Sequence, residues 1–180
     1  LSEAQYKFTI IDKLKNEVDS KILIATSKPN VLYNYLVQDE MKTMRDTGMN
    51  LKYSYYDKNS NFIFNFTVRL NEIIAPNNIS TSERPLYCFV NEKNKHLPIM
   101  LDHVTELEKV SLHQGVLTSI YNLINLRKSD VSPNFGSIMK EVLINGSQED
   151  PVMKMMLDNG VVFKHVYNIN DEVIAEIIID

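Results

Sequence analysis

Cysteine is nearly missing from this chain. Cys88 stands alone among 180 residues, so no intrachain disulfide can form and a stapled secreted scaffold is excluded. Glycine is sparse and dispersed, at Gly48, Gly115, Gly136, Gly146 and Gly160. A phosphate-cradling loop needs several glycines close together so that backbone N–H groups converge, and no such cluster exists. Long apolar runs are absent too. The most hydrophobic tract, Val173 to Ile179, is broken by Glu176 and falls far short of the roughly 18 residues of a membrane span, so it reads as a strand. Positive charge is not concentrated either. The formal net charge is −4 and Lys and Arg never run longer than two, which argues against a nucleic-acid partner.

What remains is an ordinary globular composition, with 44% hydrophobic and 23% charged residues. A chain of this length makes one full-sized domain or two small ones, burying about 70% of its unfolded surface without metals or staples. Neither a cofactor nor a metal is implied by any motif. The chain opens at Leu1 without an initiator methionine, so upstream sequence is expected to be missing. That expectation gives a weak lean to a bacterial periplasm or envelope.

The strongest pattern is internal. Placed at a constant offset of 112, residues 41–55 match residues 153–167 at seven of fifteen positions: Met41, Lys42, Met44, Asp46, Gly48, Lys52 and Tyr55. Chance would give roughly one, which points to a duplicated unit. Downstream, Asn61–Val68 lies over Glu172–Ile179 after a one-residue shift. Upstream, Phe8, Ile10 and Ile11 fall over Tyr121, Leu123 and Ile124 at an offset of 113, and Asp19-Ser20 over Ser132-Pro133.

Each unit reads as a strand, a helical pair and a β-hairpin. In the second copy Ser132 and Pro133 suit a helix start, Phe135, Ile138, Met139 and Leu143 keep helical spacing, and Asn145-Gly146 is expected to stop that helix. Asp150-Pro151 then opens a shorter one, which Gly160 ends in a left-handed conformation. Copy one follows with Asp19 as cap, Lys28-Pro29 as a break or kink, and Gly48 as terminator. In the first hairpin Leu51, Tyr53 and Tyr55 alternate with polar residues, Asp57–Ser60 turns, and Phe62, Phe64, Phe66 and Val68 are expected to share the returning inward face. In the second, Val161, Phe163, His165 and Tyr167 form one face and residues 168–171 turn. A leading hairpin is expected in copy two, extended from Leu97 to Leu112, turning at His113–Gly115 and returning over Val116–Leu126. Copy one has no residues for the equivalent first strand.

The expected fold is therefore α+β: two tandem diverged repeats, each a helical pair packed on an antiparallel β-sheet. The first spans residues 1–70 and the second 97–180. Residues 71–96 form a polar linker, with Leu86–Val90 as a short strand within it.

Candidate chemistry is thin. His103 stands near Asp102, Glu106 and Glu108, but strand neighbours point to opposite faces, which weakens a metal or acid–base site there. Cys88 with His96 or His103 as base would make a nucleophile, yet nothing local lowers its pKa and a small buried hydrophobe fits better. Met41, Met44, Met153 and Met156 repeat at i, i+3, as a packed helix face would. Asn65, Asn78 and Asn145 each begin a glycosylation-like triplet, common in an Asn-rich chain. Tyr53, Tyr55, Phe62, Phe64 and Phe66 form the one candidate ligand-binding set, an aromatic stripe that either lines an apolar pocket or makes the core of the first hairpin. The leading expectation is a non-enzymatic binding or accessory domain with a protein partner. A sensor of small apolar ligands is the second reading, and an enzyme using Cys88 or His103 the third.

Overall fold

The computed structural model describes residues 2–70, 73, 75, 76 and 79–180. The fold is α+β, and the chain divides into two compact units, Leu1–His96 and Leu97–Asp180.

In the first unit the strand β1 (Glu3–Thr9) leads to helix α1 (Ser20–Val37), the short α2 (Lys42–Asp46), the hairpin β2 (Asn50–Tyr56) and β3 (Phe62–Val68), and helix α3 (Arg84–Asn94). The sheet order is β1-β2-β3, with β1 parallel to β2 and β2 antiparallel to β3. Asp19 caps α1 by accepting the N–H groups of Lys21 and Ile22 at 2.8 and 3.3 Å. The helix passes through Pro29 without ending, so the expected break is one lost backbone hydrogen bond inside a continuous helix. Tyr35 is fully buried, and its hydroxyl donates to the carbonyls of Met49 (2.8 Å) and Met44 (3.2 Å), pinning the exit of α2.

The expected strand at Leu86–Val90 is instead part of helix α3. The run is only five residues long, and apolar runs that short fit either element. Here Ser80 donates to the Glu83 carboxylate (2.7 Å), and Pro85 sits in the first turn, where a missing N–H costs nothing. The helix packs on α1, with Tyr33 edge-on to Phe89 at 6.4 Å and Glu92 bridging Lys28 and Lys95, each at 2.7 Å. Residues 84–94 therefore belong to the first unit rather than to a linker.

The second unit runs β4 (Ile99–Met100), β5 (Thr105–His113), β6 (Val116–Leu123), α4 (Phe135–Glu149), α5 (Pro151–Asp158), β7 (Val162–Ile169) and β8 (Glu172–Ile179), in sheet order β4-β5-β6-β7-β8. The β6–β7 pair is parallel and the others are antiparallel. The turns are shorter than expected. Gln114-Gly115 and Asn170-Asp171 are tight pairs with positive φ at both residues, the backbone that matches the twist of flanking strands. Helix α4 does not stop at Asn145-Gly146. It ends at Asp150, whose carboxylate accepts the N–H groups of Val152 (2.8 Å) and Met153 (3.1 Å) and so starts α5. Ile138, expected inward, faces outward, and the inward side carries Gly136, Met139, Leu143 and the fully buried Ser147.

The two units agree in detail where the sequence repeats. The β1–β2 register runs from Glu3↔Asn50 to Thr9↔Tyr56, and the β6–β7 register from Val116↔Val162 to Asn122↔Asn168. Adding 113 to the first strand and 112 to the second converts one register into the other. Gly48 and Gly160 both have positive φ (65° and 79°). The next N–H reaches back to Met44 in one unit (2.9 Å) and to Met156 in the other (3.0 Å). Bulges fall between Tyr55 and Tyr56 and between Tyr167 and Asn168, again 112 apart. Around this shared frame the units differ, with three strands against five.

Candidate functional site

The aromatic stripe is assembled by cross-strand pairing. Tyr53 lies opposite Phe66, and Tyr55 opposite Phe64. The parallel strand β1 adds Tyr6 beside Tyr53 and Phe8 beside Tyr55. The rings stack on one another at centroid distances of 4.9 Å (Tyr6–Tyr53), 5.4 Å (Tyr53–Phe66) and 4.7 Å (Tyr55–Phe64). Leu32 and Tyr35 of α1 and Cys88 of α3 close over this face. Burial pushes the Tyr53 phenol up to about 12.

Phe62 departs from the expected face. The bulge makes Ile63 the extra residue, so Phe62 pairs with Tyr56 and turns to its side of the sheet, edge-on to that ring at 5.8 Å and 44% exposed. Spacing alone placed it with Phe64, and a bulge leaves no sequence mark there. The cleft beside this core, lined by Lys28, Leu32, Val68, Arg69, Ile73 and Glu92, measures about 20 Å³, room for about one water.

The other candidates are kept apart. Cys88 is buried, and burial pushes its thiol up against the opposing charges of Arg84 and Lys95. His96 stands 3.5 Å from Glu92. Burial raises the Glu92 carboxyl, but bonding to Lys28 and Lys95 outweighs it and leaves the carboxyl below its ordinary value. Asp102 is spent locally, accepting the N–H groups of Val104 and Thr105 at 2.8 Å each, and His103 beside it is exposed. Among the described residues no three His, Cys, Asp or Glu side chains are placed to hold a metal ion. Nor, among the described residues, is any helix long and apolar enough to cross a membrane. Asn78 lies outside the described residues; Ser147, needed by the Asn145 triplet, is buried.

Two features of the second unit went unread. The first is internal. At the register of Tyr6, Phe8 and Tyr53 the second unit has Ser119, Tyr121 and His165, so an all-aromatic patch becomes a polar one. His165 is 3% exposed, and its Nδ1 shares a 3.1 Å hydrogen bond with the Tyr121 hydroxyl. Its Nε2 is buried without a protein hydrogen-bond partner. The signal was the Tyr53-to-His165 difference between the copies, which reads as an ordinary strand-face position until burial is known.

The second feature is the outer edge. Among the described residues strand β8 pairs only with β7, so one row of its backbone N–H and C=O groups has no strand neighbour there. Val173 and Ile178 on it are about half exposed, as are Ile138 and Val142 on α4, the helix that packs over β8. Val173 is the counterpart of Phe62 and is turned outward by the same bulge. The strand carries Glu172, Glu176 and the following Asp180 but no cation of its own. Glu176 is bridged to Lys164 at 2.9 Å and Glu172 to Lys128, both at exposed positions. The chain matches no protein-family model, no curated protein and no solved structure.

Proposed function

We propose that the chain is a protein-binding module that takes an extended, basic segment of its partner as an added strand along β8. The observation that carries this reading is the coincidence of an unpaired strand edge with exposed Val173 and Ile178 on the same strand. Backbone groups of an edge bind any extended chain, and pockets for alternate side chains supply the selectivity. Here the side chains offered are apolar with carboxylates between them, so the matching segment alternates apolar residues with Lys or Arg. A second copy of β8 would bring the same three carboxylates and no cation, which disfavours self-pairing. The exposed bridges to Lys128 and Lys164 are of the weak, exchangeable kind, so a partner lysine can replace them.

The test is fluorescence polarisation with a labelled peptide alternating Val and Lys and a matched peptide alternating Val and Glu. The basic peptide should bind, more weakly at high salt, and Glu176→Lys together with Glu172→Lys should weaken it about tenfold or more, since each lost charge-assisted contact is worth roughly 1 kcal/mol. Equal binding of both peptides, or none of either, defeats the proposal. So does concentration-dependent dimerisation that Ile178→Asp abolishes.

A further inference from the structure

We propose that the five-stranded unit is acid-released: protonation of His165, which no carboxylate faces among the described residues and whose Nε2 has no protein partner, buries an uncompensated cation and loosens the β6–β7 pair while the three-stranded unit holds. This stands apart from the strand-addition reading and concerns how the two units part company as conditions change.

On β6, Ser119 and the Tyr121 hydroxyl face His165, with the Tyr121 ring stacked on the imidazole at 5.8 Å. On β8 its cross-strand neighbour is Ile177, and along β7 it is flanked on the same face by Phe163 and Tyr167. The helices add the Phe135 ring against Tyr167 and the fully buried Met156. Their charged residues Lys140, Glu141, Glu149, Lys154 and Asp158 are exposed. Burial holds the Tyr121 and Tyr167 phenols above their ordinary value, so neither supplies a negative charge.

A neutral imidazole fits such a site. A cation does not, because it would be buried without a counter-ion. Whichever ring nitrogen holds the first proton, the Tyr121 hydroxyl either donates to Nδ1 or accepts from it, so the doubly protonated ring always carries a charged Nε2–H with no protein acceptor. Burial accordingly pushes the imidazole down to about 4 from 6.5. The sign follows from linkage. The unfolded chain binds the proton first, so stability is complete above pH 6.5 and drains away as pH falls toward 4. The first unit has Tyr53 at this register and nothing there that titrates in that window. Its depressed carboxylates, Asp57 and Glu92, begin to release stability only as pH falls below about 5, through the ordinary carboxylate range.

Hydrogen exchange read by mass spectrometry on the full chain, corrected for intrinsic rates, tests this between pH 7 and 4. Opening of β6–β8 should rise roughly a hundred-fold across that range, as a shift of 6.5 to about 4 implies, with β1–β3 rising no more than a few-fold and only below about pH 5. His165→Phe should flatten the rise. A rise equal in both units, or one that His165→Phe leaves intact, overturns the proposal. Should that variant fail to fold, the imidazole resonance of the unaltered protein decides: titration near pH 6.5 without loss of structure overturns it, and a neutral ring until the unit opens supports it.

Discussion

Tyr35 and Ser147, 112 residues apart in sequence, are both fully buried, yet they do different things. Tyr35 reaches the carbonyls of Met44 and Met49, whereas Ser147 turns back to the carbonyl of Ile144 at 2.8 Å. Removing the Tyr35 hydroxyl takes a donor from the Met49 carbonyl beside a tightly packed ring, while the Met44 carbonyl keeps the Met49 N–H at 2.9 Å. Tyr35→Phe should lower stability by about 1–3 kcal/mol, read as a lower urea midpoint at unchanged slope. Asp57 shows a residue whose role the sequence announced. Its place between two alternating runs predicted a turn, and its buried carboxylate takes the N–H groups of Asn59 and Asn61 at 2.9 and 2.8 Å and the Asn61 side-chain amide at 3.0 Å. That Asn61 contact holds the Asp57 carboxyl below its ordinary value. His165 was not legible in this way, because its meaning lies in desolvation, which depends on residues far away in sequence.

Elements are where local chemistry and tertiary context compete. Gly146 looked like a stop signal, but it lies within the α4 helix and is not among the positive-φ residues, so the helix runs on until Asp150 ends it. A Cβ at Gly146 would meet nothing within 4 Å. Gly146→Ala should therefore stabilise the protein by up to about 1 kcal/mol. Gly160→Ala meets nothing within 4 Å either, yet its φ of 79° makes the same substitution destabilising. Opposite shifts in thermal midpoint from the two variants would confirm that backbone angle, rather than space, separates them. The same competition explains what the sequence hid. Helix starts with a side-chain cap, Asp19 and Asp150, were legible, as were the left-handed glycines. The α3 helix was hidden because five apolar residues fit either period, and its place was settled by packing on α1. The outward turn of Phe62 was hidden because a bulge shifts the face without changing residue types.

For the whole molecule, the two units share strand registers, bulges and helix ends and differ in the parts around them. The first carries α3, held by Tyr33–Phe89 and by Lys28–Glu92–Lys95. Those contacts predict that a fragment of residues 1–96 unfolds cooperatively in urea, while 1–70, stripped of the helix that closes its core, shows a broad transition or none. Equal cooperativity of both fragments would reduce α3 to an ornament.

Asp150 joins two jobs in one residue, ending α4 and starting α5 with a single extended backbone step of φ −83° and ψ 112°. No slack lies between the helices. The exposed Ile138 and Val142 of α4 and the fully buried Met156 of α5 are therefore parted by a single non-helical residue, so a shift in the axis of one helix leaves the other little room to stay put.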